Sequence, residues 1–190
     1  MKLSDIDIRR YLADGRLGID PLDESNIGPI SVDLSLGSRF LFFKHSQLSL
    51  INVREHTLKQ ELQQADLMDE IDVGPEGRFI LQPGQFALGS TVERVSLCDE
   101  LAGWLDGRSS LARVGLMVHA TAHTLEPGWD GTITLEFFNA GNVALALYPA
   151  VRICAVSFEM LSQPAERHYG AKGGRYQGQH GPVASRLSRT

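Results

Sequence analysis

The chain has 190 residues, 43% hydrophobic and 22% charged, with a formal net charge of -5. That balance suits one globular domain, residues 1–190, able to bury a core, and its negative sign argues against broad binding to nucleic acid. No apolar run approaches the roughly 20 residues that span a bilayer, and Asp5 and Asp7 stand where a secretory signal would be apolar; a cytoplasmic protein without membrane contact is expected.

In chain order, Ser4 can cap a short helix with Ile8, Tyr11 and Leu12 on one face and Gly15 as its stop. Residues 16–29 read as loop. Residues 31–36 alternate strictly, with Val32, Leu34 and Leu36 opposite Ser31, Asp33 and Ser35, which is strand periodicity. Residues 40–43 continue a sheet. Residues 54–72 are polar, with Leu58, Leu62 and Ala65 at helical spacing, and read as an inserted loop with two helical turns. Short strands divided by turns follow at 79–81, 86–95, 102–105, 132–138, 143–147 and 151–160, with turns at Pro83 and Pro149 and one helical turn at 111–114. Such spacing favours an all-β barrel or sandwich. From Arg167 onward the chain is basic and glycine-rich, with no Asp or Glu. It reads either as a disordered tail or as a flexible lid, 167–190, that orders over an anionic ligand.

The chemistry-bearing residues concentrate between 104 and 139. In strand 132–138, Ile133, Leu135 and Phe137 share one face and Thr132, Thr134, Glu136 and Phe138 the other. If the first face meets the core, the second lines a groove or an interface. Glu136, set among apolar neighbours, is poorly solvated, which suits taking and returning a proton near neutral pH; an ion pair at a strand edge is the other reading. Thr134 offers both a donor and an acceptor to a base edge. In 107–113, Ser109 or Ser110 looks like an N-cap. Backbone N–H groups, hydroxyls and the guanidiniums of Arg108 and Arg113 would together cradle phosphate; a capped turn with solvated arginines is the alternative. The Gly-Lys-Ser/Thr ending of a Walker A loop is missing.

His119 and His123 lack a third ligand close in sequence and read as packed histidines rather than a metal pair. Residues 126–131 form a turn in which Glu126 can accept from a sugar hydroxyl and Trp129 can close over a sugar or base; a solvated Glu and a packing Trp remain the other reading. Cys98 and Cys154 belong to no Cys-x-x-Cys pair and read as small buried hydrophobes. The His-x-Glu and Pro-Cys-x-x-Cys of zinc-dependent nucleobase deaminases are both missing.

In this order the segments resemble the bacterial dCTP deaminases, which share a fold family with the trimeric dUTP pyrophosphatases. The resemblance is carried by Val32-Asp33-Leu34 with Leu36-Gly37, by Trp104-Leu105-Asp106-Gly107-Arg108-Ser109-Ser110-Leu111-Ala112-Arg113, and by Leu116-Met117-Val118-His119-Ala120-Thr121-Ala122-His123. Pro127-Gly128-Trp129, Leu135-Glu136-Phe137, Tyr176-Gln177-Gly178-Gln179 and Ala184-Ser185-Arg186 extend it over nearly the whole chain.

The resemblance implies a mainly β fold, a distorted β-barrel of the trimeric dUTPase-like type with a few short helices. It implies a homotrimer with active sites between subunits and conversion of dCTP and water to dUTP and ammonia, supplying dUTP for thymidylate synthesis. No zinc is used, magnesium accompanies the triphosphate, and dTTP is a candidate inhibitor. By position, Glu136 would be the proton shuttle, Ser109 and the backbone near Ala122 would hold the attacking water, and Arg113 would steady developing charge. Arg108 and Ser110, with Leu111 and Ala112 in the same turn, would meet the phosphates together with Tyr169, Arg175 and Gln179. Glu126, Thr134 and Leu135 would contact sugar and base.

Two positions depart from the pattern. Glu126 stands where the family usually has Asp, and Arg175 where it often has Lys, keeping the charge but changing its geometry. The rival readings are triphosphate hydrolysis, alone or joined to deamination, and a non-catalytic nucleotide-binding trimer. Thr121-Ala122-His123 resembles the single-function deaminases.

Overall fold

The computed structural model describes residues 1–44, 67–171 and 173–186. Helix α1 (Asp5–Ala13) begins where Ser4 Oγ accepts from the Asp7 N–H and ends before Gly15, which takes a φ of 68°. Its buried face is Ile8 and Tyr11, the i, i+3 stripe expected, and the Arg16 guanidinium lies over the Tyr11 ring at 4.2 Å.

All the described strands pair antiparallel. One sheet runs β2 (Ser31–Ser35), β12 (Arg152–Met160), β7 (Leu101–Gly107), β9 (Thr124–Leu125). A larger one runs β4 (Met68–Asp72), β3 (Arg39–Phe43), β6 (Phe86–Leu97), β10 (Asp130–Asn139), β8 (Leu116–Met117), with β1 (Leu17–Asp20) also on β6. The third pairs β5 (Phe79–Leu81) with β11 (Leu145–Leu147). The fold is mainly β and distorted as expected, but its described strands form three sheets rather than one closed hydrogen-bonded barrel.

Alternation fixes which faces meet. Val32, Leu34, Leu36, Leu105, Leu135, Phe137, Val156 and Phe158 are all buried at 1% exposure or less, forming one core between the sheets. Phe40 stacks on Phe79 at 4.5 Å and tilts against Phe137 at 6.4 Å. Cys154 is fully buried and Cys98 half-buried; neither is in a disulfide, and burial pushes both thiols up. They act as the small hydrophobes expected.

Three parts of the chain differ from the sequence expectation. Within 16–29, Leu17 and Ile19 are buried and β1 pairs with β6 from Leu17↔Leu97 to Asp20↔Arg94; four residues are too few to display a period. Within 54–72, the helical turns expected at 58–65 lie outside the described residues, and Met68–Asp72 is a strand. It is an acidic edge whose Glu70 and Asp69 pair with Arg39 and Lys44 of the neighbouring chain segment, each at 3.6 Å. Such charge is typical of a sheet edge, and it hid the strand from a hydrophobic pattern. The two-residue strands β8 and β9 fall below any pattern.

A Cβ on Gly89 would lie 2.6 Å from Phe137 Cε2. Gly89→Ala should therefore destabilise the fold by about 1–3 kcal/mol through overpacking, read as a lowered thermal midpoint that Phe137→Leu partly restores. An unchanged midpoint would contradict the packing described.

Candidate active site

Strand β10 presents the candidate carboxylate. Leu135 and Phe137 face the core with no exposure, so Thr134 and Glu136 face the other way. The ladder to β6 slips between Thr132 and Thr134, and the Ile133 N–H turns instead to Thr91 Oγ1 at 2.9 Å. Such a bulge re-aims the residues beside it.

The stretch after β8 then clasps Glu136. The Glu136 N–H donates to Val118 O at 3.0 Å, and the Ala120 N–H donates to Glu136 Oε2 at 2.9 Å. One carboxylate oxygen is thereby held by backbone.

Glu136 lines a groove of about 1040 Å³ together with Ala122, Glu126, Thr134, Tyr169 and Gln179. These six expected site residues come together in a single chain. The groove continues across the same sheet, which the sequence did not disclose, over the apolar Leu41, Phe43, Phe86 and Leu88 of β3 and β6, with Leu88 paired directly to Glu136 and Leu41 to Leu88. Trp129 also lines the groove, but its ring is buried, its Nε1–H donates to Gly131 O at 3.3 Å, and it packs on Tyr169 at 5.3 Å. It supports the groove wall.

The expected phosphate cradle lies elsewhere. Arg108, Ser109 and Ser110 line a separate hollow of about 260 Å³ with Asp33, Gly107 and Ala155. Helix α2 (Ser109–Ala112) follows directly, and its N-cap is Arg108, without a side-chain capping bond; the expected serine cap is corrected. Both serines fall inside the helical turn, where their hydroxyls are exposed. Arg113 is the exposed C-cap of α2, Ala112 is exposed, and Leu111 packs partly on the core. The Leu135 side chain is in the core, leaving only its backbone for any contact. His119 and His123 pack at 5.5 Å, with His123 at 5.4 Å from Trp104.

A profile of the dCTP deaminase-like family matches residues 2–161. The chain belongs to that family. It is 52% identical over 190 residues to the dCTP deaminase of Rhodospirillum rubrum, covering 99% of this chain and 97% of that one. It is 48% identical over 191 residues to the dCTP deaminase of Alteromonas mediterranea, covering 99% and 97%. It is also 47% identical over 191 residues to a "dCTP deaminase, dUMP-forming" of Dictyoglomus thermophilum, covering 99% and 95%. Among solved structures, the 2'-deoxycytidine 5'-triphosphate deaminase of Agrobacterium tumefaciens shares the fold at a TM-score of 0.63 and 20% identity, over 84% of this chain and 48% of that one.

In this dCTP deaminase-like chain the described tail runs back along the start of β10. Gly178 N–H donates to Asp130 O at 2.7 Å, Gln179 Nε2–H to Thr132 O at 2.7 Å, and Gly181 N–H to Thr132 Oγ1 at 2.9 Å. Gln179 is buried, and its Oε1 finds no hydrogen-bond partner among the described residues. The Val183 N–H reaches Thr134 Oγ1 at 3.4 Å. Arg175 is half-buried, its carbonyl accepting from Arg186 Nη1 at 2.7 Å.

Burial pushes the Tyr169 phenol above its ordinary value, against the opposing effect of the Tyr176 N–H that its oxygen accepts at 3.1 Å. The group is therefore neutral at pH 7. Its contribution to stability is present below the ordinary phenol value of about 10 and is lost as pH rises through the higher folded value. A spectroscopic titration of phenolate should show a late-ionising component that Tyr169→Phe removes; a curve unaltered by the substitution would refute this.

Proposed function

We propose that this chain hydrolyses the exocyclic amine of dCTP, giving dUTP and ammonia, with Glu136 as the proton shuttle. The observation that carries the reading is the backbone-clasped Glu136 carboxylate in a groove beside Thr134, Ala122 and Glu126. The family membership and the names of its near full-length relatives support the substrate.

In the proposed step, Glu136 takes a proton from water as its oxygen bonds to C4 of cytosine, and the proton passes to N3. The tetrahedral intermediate then expels the amine as ammonia, with Glu136 relaying the second proton. The Ala120 N–H orients the carboxylate throughout. General acid-base transfer supplies about 10² to 10⁴ in rate; preorganised dipoles around the developing charge supply much of the rest. Thr134 reads the base edge, Glu126 the sugar, and Arg108 and Ser110 the phosphates, while Ser109 and the backbone near Ala122 hold the attacking water and Arg113 steadies the developing charge.

The cradle and Glu136 line different hollows of one chain. The reading therefore assembles each site from two copies in a homotrimer, one supplying Glu136 and the groove, the other Arg108, Ser109 and Arg113. The tail, residues 167–190, acts as the lid. Magnesium enters with the triphosphate. Among the described residues no three His, Cys, Asp or Glu side chains cluster as a ligand set, so phosphate oxygens and water would coordinate it. It would neutralise phosphate charge, and zinc has no part in this reading. dTTP, sharing sugar and phosphates with the substrate, is the expected inhibitor.

Glu136→Gln should reduce ammonia release by at least about 10²-fold with little change in dCTP binding; turnover at the original rate would rule out the shuttle. Because the relative from Dictyoglomus thermophilum is named as dUMP-forming, anion-exchange analysis of products decides the second reading. Stoichiometric dUTP supports deamination alone, whereas dUMP with pyrophosphate makes the enzyme bifunctional.

Subunit mixing tests the shared site. Glu136→Gln and Arg113→Ala proteins, each nearly inactive, should regain activity when dissociated and reassembled together. No recovery in verified mixed assemblies would place the whole site within one chain.

A further inference from the structure

We propose that Asp33 is the positioning residue of the phosphate cradle, holding the Arg108 guanidinium in place with Arg152 as the balancing second cation. The inference rests on the reading of the 260 Å³ hollow as the place where phosphates bind. Asp33 sits on β2 between Val32 and Leu34, both fully buried, so its side chain is committed to the opposite face. That face lines the hollow with Arg108, Ser109 and Ser110. Its Oδ2 forms ion pairs with Nη1 of Arg108 and, at 3.6 Å, with Nη1 of Arg152.

Arg108 needs such a partner. It stands in extended conformation at the start of a helix of four residues, and a guanidinium, which only donates, cannot anchor itself by capping that helix. Its Nη1 is shielded from solvent and, among the described residues, makes no hydrogen bond that would replace the ion pair. A carboxylate in a hollow meant for a polyanion would by itself repel the ligand. Two guanidiniums against one carboxylate leave one net positive charge, and a guanidinium held by one Nη keeps its other donors for phosphate. Fixing the side chain before the ligand arrives removes an ordering cost from binding.

The strand carrying Asp33 is fixed in turn. The pairing of β2 with β12 slips between Arg152 and Cys154, opposite Ser35 and Leu34. At that irregularity the Ser35 N–H donates to both oxygens of Glu93, at 2.8 and 3.1 Å. Glu93 is 5% exposed, so a buried carboxylate secures the strand two residues from Asp33.

The test is a double-mutant cycle in the full-length enzyme, with Asp33→Asn, Arg108→Ala and the pair. The readouts are kcat and KM for dCTP and the inhibition constant of inorganic triphosphate. Asp33→Asn should raise KM and that inhibition constant about tenfold, as expected for losing a charged hydrogen-bonding partner, with kcat little changed. In the Arg108→Ala background the same substitution should add almost nothing. Asp33→Glu should recover part of the loss, and Arg152→Gln should give a smaller increase in the same direction; both also serve if Asp33→Asn fails to fold.

Unchanged or tighter triphosphate inhibition in Asp33→Asn would overturn the inference, as would an equal effect with and without Arg108. If Arg108→Ala itself leaves KM and triphosphate inhibition untouched, the cradle reading fails and this inference fails with it.

Discussion

The burial of Leu135 and Phe137 is the constraint on which the site depends. Both side chains are fully withdrawn from solvent among residues of both large sheets, and a one-residue slip would carry them to the wrong face. With that register fixed, Thr134 and Glu136 have no choice of side. The bulge at Thr132/Thr134 then sets their direction, and the segment after β8 pins the carboxylate through the Ala120 N–H. The Glu136 carboxylate is thus held by backbone hydrogen bonds and core packing, both rigid, rather than by a side chain that must itself be ordered.

The tail extends the same strand's influence. Thr132 bonds the tail through its N–H, its C=O and its hydroxyl: to Gln179 O, Gln179 Nε2 and the Gly181 N–H. Glycine supplies part of the means. Gly178 and Gly181 have φ of 70° and 73°, values that other residues adopt only at a cost, and the turns they make let the basic tail follow β10 closely. Among the described residues this glycine-rich stretch is a turning, hydrogen-bonded segment.

Charge is distributed with similar economy. The chain is acidic overall, with a net charge of -5, yet Arg108 and Arg152 converge on the one carboxylate of Asp33. The groove around Glu136, by contrast, joins apolar side chains from β3 and β6 to the carboxylates of Asp69, Glu70 and Glu126.

The sequence by itself determined the elements whose signal is local. Helix α1 was legible from Ser4, Ile8, Tyr11 and Gly15, and the long strands from the two-residue alternation around Leu34, Leu135 and Val156. The face carrying Glu136 followed from that alternation. Residues without a local signal were decided by tertiary structure. Leu17–Asp20 and Met68–Asp72 are strands because β6 and β3 offer them an edge, not because their own patterns demand it. The end of α2 is capped by Arg108 because the chain arrives extended from β7. The docking of Gln179 on Thr132 and the pairing of Asp33 with Arg108 join residues more than forty positions apart, and the same packing divides the expected site into two hollows. Periodicity reports which way a side chain points along its own strand; only the packing of sheets decides what it meets there.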